Sequence, residues 1–97
     1  MDTRVVDSAE VRRFELWHED ERLGLVTYRL APGVITFVHT EIDPAHGGEG
    51  HGATLAAAVL DSARERGLRV RPLCPFIASY ITKHPEYADL LAPGGAR

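Results

Sequence analysis

Hydrophobic and polar positions alternate from Arg12 to His18, with Phe14, Leu16 and His18 on one face and Arg13, Glu15 and Trp17 on the other. That period of two predicts a half-buried strand. The acidic run Glu19-Asp20-Glu21 follows as a hairpin turn, without the Asn-Gly signature. Gly24 to Leu30 predicts a second strand with Val26, Tyr28 and Leu30 sharing a face, and Ala31-Pro32-Gly33 breaks it as a type II turn. From Val34 to Ile42 the pattern changes: Val34, Ile35, Phe37, Val38 and Ile42 leave neither face polar. This predicts a central strand covered on both sides.

A loop from Pro44 to Gly52 separates that strand from a helix running from about Gly52 to Arg66. Leu55, Ala56, Val59, Leu60 and Ala63 give the helix an apolar stripe. Gly67 is placed to cap its C-terminus, with Arg64 and Arg66 near the negative end of the dipole. Leu68 to Leu73 predicts a short strand parallel to Val34–Ile42, because a strand, helix and strand in succession form a crossover. Residues 76–83 and 86–91 read as short helical pieces separated by His84-Pro85, with residues 1–10 a loose arm and 92–97 a disordered tail. The fold class is α/β: a single domain with a mixed, mostly antiparallel sheet, a central helix and short C-terminal helices.

Composition narrows the function classes. The chain has 97 residues, 44% hydrophobic and 26% charged, as expected of one soluble domain. Fourteen acidic against eleven basic side chains give a net charge of −3, which leaves no field for a nucleic-acid backbone. Cys74 is the one cysteine, so no internal disulfide forms, and a reducing cytoplasm fits it best. No signal peptide and no apolar run of the ~20 residues needed to span a bilayer is present. A cytoplasmic protein is expected. His39, His46, His51, Cys74 and His84 show no ligand spacing within one element, so no metal is expected.

Gly47, Gly48, Gly50 and Gly52 fall between the third strand and the helix. Glycines let backbone N–H groups approach an anion closely, and the helix N-terminus adds partial positive charge. A phosphate cradle is one reading. A flexible connector is the other, although each ordered glycine costs ~0.5–1 kcal/mol relative to alanine. The spacing fits neither a P-loop nor a dinucleotide fingerprint.

His39 and Glu41 lie two apart on the third strand and share a face. Either can serve as a general base; otherwise His39 is a satisfied core histidine and Glu41 a strand-end ion pair. Cys74 follows the fourth strand and precedes Pro75-Phe76, so its thiol lies near a helix N-terminus. It can protonate a departing thiolate, accept an acyl group, or be a small buried hydrophobe.

The stretch from Phe37 to Leu91, above all His39-Thr40-Glu41, the glycine-rich loop, Cys74-Pro75-Phe76 and Tyr80 to Tyr87, resembles the small YjdJ-type branch of the GNAT acetyltransferases. The resemblance spans roughly residues 11–91. The superfamily marks its coenzyme loop by Gln or Arg, two residues, Gly, one residue, then Gly or Ala. Gly50 and Gly52 match, while Gly47 stands at the Gln/Arg position. The resemblance implies acetyl-CoA as co-substrate, with pantetheine entering between two splayed parallel strands, here 34–42 and 68–73. Glu41, Ile42 and Asp43 would offer backbone groups to pantetheine, and Gly48, Glu49, Gly50, His51, Gly52 and Ala53 would receive the pyrophosphate. Glu49 is then tolerable only with its side chain toward solvent. Pro75 and Phe76 would adjoin the acetyl group, and Tyr80, Lys83 and His84 the outer part of the coenzyme, although Tyr80 also reads as core and Lys83 as a solvated charge. About eleven residues precede the first strand, so the helices that usually wall the acceptor side are missing and that side is expected to be open.

The expected function is N-acetyl transfer from acetyl-CoA to a primary amine of a protein, peptide or small molecule, with catalytic candidates Cys74, Glu41 and His39. The alternative is a non-catalytic acyl-CoA-binding sensor or interaction module. No nucleic-acid or membrane partner is expected, and the sequence leaves the oligomeric state open.

Overall fold

The computed structural model describes residues 2–93. Five strands, β1 (Arg4–Ser8), β2 (Arg13–His18), β3 (Glu21–Ala31), β4 (Val34–Ile42) and β5 (Arg69–Pro72), form one sheet in the order β1-β2-β3-β4-β5. Neighbours are antiparallel up to β4, and β4 and β5 are parallel. Helix α1 (His51–Glu65) connects the parallel pair, and α2 (Pro75–Lys83) and a 3-10 segment (Pro85–Leu90) follow β5. This is the mixed α/β sheet expected from the strand-helix-strand order.

Residues 1–10, expected as a loose arm, contain β1. Its register pairs Val5 with Leu16 and Asp7 with Phe14. Only Val5 packs toward the core, while Val6 is exposed, so hydrophobic periodicity does not reveal the strand. Polar contacts hold it instead. The Tyr28 hydroxyl donates to Asp7 at 2.5 Å, and the Arg4 guanidinium lies over the Trp17 ring. A polar sequence is what an edge strand tolerates.

The core is one cluster joining Phe14, Leu16, Val26, Tyr28, Ile35 and Phe37 of the sheet to Leu55, Val59 and Leu60 of α1 and Ile77 and Ile81 of α2. Gly67 ends α1 at φ 68°, and the Leu68 N–H donates to the Ala63 carbonyl at 2.9 Å. Strand β4 departs from its expectation. Ile35 and Phe37 are buried, but Val34, Thr36 and Val38 are only half-buried, and His39 and Glu41 are exposed. One face is covered, not two. The core helices cover the Ile35–Phe37 face, and a β-bulge then resets the alternation: Tyr28 faces Phe37 and Thr27 faces His39, so Val38 is an extra residue on β4. The adjacent apolar pair Phe37-Val38 reflects that insertion, not burial on both sides.

At the C-terminal end, Ala92 is buried and its N–H donates to the Val70 carbonyl at 2.9 Å. Residues 94–97 of the expected disordered tail lie outside the described residues.

Candidate active site

β4 and β5 pair only from Val34↔Arg69 to Phe37↔Pro72. Beyond that point β4 continues to Ile42, while the chain after Pro72 turns into α2. The last link is the Cys74 N–H, which donates to the Phe37 carbonyl at 2.9 Å. Among the described residues, no strand pairs with the β5-side edge of residues 38–42. The two strands form a fork with Cys74 at its base.

Backbone direction alternates along a strand, which decides what faces this fork. The Asp43 N–H donates to the Leu23 carbonyl at 2.8 Å, so Asp43 and, two residues back, Glu41 turn their backbone groups toward β3. The Asp43 carbonyl also accepts from His46 N at 2.9 Å. Thr40 and Ile42 turn theirs into the fork. This corrects one expectation: the backbone groups of Glu41 and Asp43 face β3 and not the fork, and those facing the fork belong to Ile42 and Thr40. The sequence pattern missed Thr40; only the register set by the bulge reveals it.

The side chains divide in the same way. Thr40 lies toward the helices, its Oγ1 in hydrogen-bond contact with Cys74 Sγ at 3.1 Å. His39 and Glu41 project to the other, exposed face, with Nε2 and Oε2 3.3 Å apart. Cys74 itself is buried, 3% exposed, and is the N-cap residue of α2. The structure thus brings His39 and Glu41 together, and Cys74 to Thr40, on opposite sides of β4.

The loop after β4 begins with a 3-10 turn at Pro44–His46, where Asp43 Oδ1 accepts from Ala45 N at 2.9 Å. Gly48 and Gly50 then adopt φ values of 83° and 82°, a conformation that L residues avoid. Gly52 is constrained by contact instead. A Cβ there would come within 2.7 Å of the Phe76 ring, so glycine lets α1 and α2 close on each other. The first helical bond of this segment runs from Thr54 N to the Gly50 carbonyl. Gly47 and Gly48 lie in a turn closed at Glu49, and among the described residues no protein acceptor receives the N–H groups of Gly48, Gly50, His51, Gly52 or Ala53. Five such donors cluster at the N-terminus of a 15-residue helix, the kind of place that suits anionic oxygens.

Glu49 is not free in solvent. Its Oε1 lies 2.9 Å from His51 Nε2 and 3.3 Å from His46 Nδ1, and His51 is buried. Hydrogen bonds from His51 and then His46 hold the Glu49 carboxyl below its ordinary range. Hydrogen bonds to Glu21 and then Glu49 push His46 above its own. The carboxylate is thus held by two imidazoles within the loop, where it was expected to extend into solvent. Sequence spacing missed this cluster, because its members meet across a loop of glycines.

Beside the first turn of α1, a cavity of about 230 Å³ is lined by Ala53, Phe76, Ser79, Tyr80, Lys83 and His84. Pro75 opens α2, and Phe76, 43% exposed, stands between the glycine loop and this cavity. Tyr80 stacks on His84 at 4.0 Å, and its burial raises the phenol above its ordinary range. No described helix is long and apolar enough to cross a membrane.

Comparison with known proteins follows the same outline. No curated protein matches the chain. A solution structure of a GCN5-like candidate N-acetyltransferase from Staphylococcus aureus is 27% identical over 92% of this chain and 87% of its own, with a TM-score of 0.70. The ribosomal-protein-S18-alanine N-acetyltransferase of Escherichia coli, 16% identical, shares the fold at a TM-score of 0.59 over 74% of this chain and 43% of its own. A GNAT-family structure from Desulfovibrio desulfuricans, 18% identical, does so at 0.55 over 76% of this chain and 52% of its own. The family profile of the GCN5-related N-acetyl-transferases matches residues 13–90, and the chain belongs to that family.

Proposed function

We propose that this protein transfers an acetyl group from acetyl-CoA to a primary amine, as a member of the small YjdJ-type branch. The observation that carries the reading is the cluster of five unpaired N–H groups, those of Gly48, Gly50, His51, Gly52 and Ala53, set directly beyond the open half of β4. A pyrophosphate offers several anionic oxygens to such a run, which one carboxylate cannot match. From there pantetheine enters the fork and pairs with the backbone of Thr40 and Ile42. The outer part of the coenzyme lies against Phe76, Tyr80 and Lys83 in the cavity beside α1.

The chemistry then follows from the two sides of β4. The amine approaches from the exposed face, where His39 or Glu41 takes a proton from the ammonium, directly or through water. The free amine attacks the thioester carbon, and backbone N–H groups at the fork stabilise the oxyanion. Collapse of the adduct breaks the C–S bond; the adduct nitrogen gives up its second proton to the His39–Glu41 pair or to water, leaving a neutral amide, and the departing thiolate takes a proton. Cys74, hydrogen-bonded to Thr40 at the fork base, is placed on the leaving-group side and serves as that acid. Its burial does not suit a freely attacking nucleophile. The exposed face suits a protein or peptide amine, and a lone thiol suits a reducing cytoplasm.

The test is release of coenzyme thiol from acetyl-CoA over a panel of amines, with Gly50→Val as control. Gly50 has a φ of 82°, so a β-branched residue there distorts the cradle. The variant should keep its fold and lose acetyl-CoA affinity at least ~10-fold, about 1.4 kcal/mol. Unchanged affinity would sink the cradle. A second reading, a non-catalytic acyl-CoA sensor, is favoured by the separation of Cys74 from the His39–Glu41 pair; tight binding without thiol release on any amine would select it.

A further inference from the structure

Side chains that acetyl transfer does not use converge in the loop after β4. His46 Nδ1, Glu49 Oε1 and His51 Nε2 all lie within 4.8 Å of one another. Two of the three separations are 2.9 Å and 3.3 Å. Tetrahedral zinc, with bonds of about 2.0–2.2 Å, places its ligands roughly 3.3 Å apart. Two of the separations are thus within about 0.4 Å of that spacing, and the third lies within 4.8 Å.

Two further observations favour a cation. Both imidazoles point at the same carboxylate oxygen, so each must donate a proton to it, whereas one divalent cation satisfies all three lone pairs together. The second nitrogen of His46, Nε2, lies 2.9 Å from Glu21 Oε2 on β3. A carboxylate behind a metal-binding imidazole fixes its tautomer and raises its basicity. Burial also preorganises the ligands: the side chains of His51 and His46 are 7% and 20% exposed. The 3-10 turn capped by Asp43 fixes the backbone at His46.

We propose that His46, Glu49 and His51 form a binding site for a zinc-class divalent metal, with Glu21 orienting His46. Two imidazoles and one carboxylate are a donor set that zinc accepts, leaving a fourth position for water or an exogenous oxygen. A competing set, Glu21, Asp43 and His46, also lies within 4.8 Å but has one imidazole and shares His46. Only one of the two can be filled at a time, and the nitrogen-rich set suits zinc better. Glu49 sits between Gly48 and Gly50, so metal would convert the loop's carboxylate into part of a positive centre. That consequence, tighter coenzyme binding in the presence of metal, rests on the acetyl-CoA reading; the metal site does not.

Calorimetric titration of the tag-free chain with Zn²⁺, paired with the absorption spectrum of its Co²⁺ complex, tests the site. One ion should bind, with the d–d bands of tetrahedral cobalt and no thiolate charge-transfer band. His46→Ala and Glu49→Gln should each weaken Zn²⁺ at least ~10-fold, and Glu21→Gln about tenfold through its action on His46. Asp43→Asn should leave the affinity unchanged, and circular dichroism should show all four variants folded. Absence of Zn²⁺ binding, wild-type affinity in His46→Ala or Glu49→Gln, or a thiolate band from Cys74 would each overturn the proposal. Loss of binding in Asp43→Asn with Glu49→Gln unaffected would overturn it in favour of the competing set.

Discussion

The two halves of β4 do different work in one strand. From Val34 to Phe37 it is paired on both edges, and its Ile35 and Phe37 side chains are buried. From Val38 to Ile42 it pairs with β3 alone, and its outward side chains, His39 and Glu41, are exposed. The bulge at Val38 marks the change. The comparison teaches that pairing is divided along the strand: the closed half secures the sheet, and the open half leaves one edge of backbone donors and acceptors without a strand partner, where the proposed ligand would bind.

The largest effect should come from breaking the closed half. Phe37→Ala removes a fully buried ring from the shared core and should cost about 3–5 kcal/mol in denaturant unfolding. Glu41→Gln in the open half should change stability by no more than ~0.5 kcal/mol while lowering kcat. A large stability loss in Glu41→Gln with kcat intact would erase the division. At the loop, Gly52→Ala places a methyl group against the Phe76 ring. We expect a destabilisation of about 1–3 kcal/mol, the usual range for overpacking, with weaker acetyl-CoA binding in a thermal-shift titration.

The sequence shows the first half of this comparison well and the second half poorly. The ends of β4 coincide with the expected strand, Val34 to Ile42, and α1 is displaced by one residue, because long periodic segments and Gly67 punctuate the chain clearly. The bulge was illegible, since an inserted Val looks like a second apolar face. The backbone groups that face the fork are then those of Ile42, as expected, and Thr40, in place of Glu41 and Asp43. β1 was hidden for a different reason: its stability comes from cross-strand pairing and Asp7, not from an apolar stripe. The His46–Glu49–His51 cluster was hidden because loop contacts have no fixed spacing. Motif residues on regular elements could be read; their orientation could not.

A smaller, pH-dependent effect sharpens the closed half. Arg64 on α1 binds Asp89 in a two-pronged ion pair and also donates to the Glu86 carbonyl, tying the C-terminal segment beside β5. The Arg64 hydrogen bond holds the Asp89 carboxyl below its ordinary range. A carboxyl lowered on folding contributes stability that is present above its unfolded pKa and lost as pH falls through its folded one. Asp89→Asn should therefore lower the melting temperature slightly at pH 7, by the small amount expected of an exposed pair, and the difference from wild type should shrink as pH falls below about 4, which flattens the variant's acid limb. An acid limb identical to wild type would show that this clamp does not brace β5.

The most direct test of the open half is a two-dimensional amide NMR titration of the chain with acetyl-CoA. The account predicts large shifts at Gly48 to Ala53 and at Thr40 and Ile42, with β1 and the closed half of β4 nearly unchanged. Saturating acetyl-CoA that leaves the amides of Gly48 to Ala53 unmoved would contradict it.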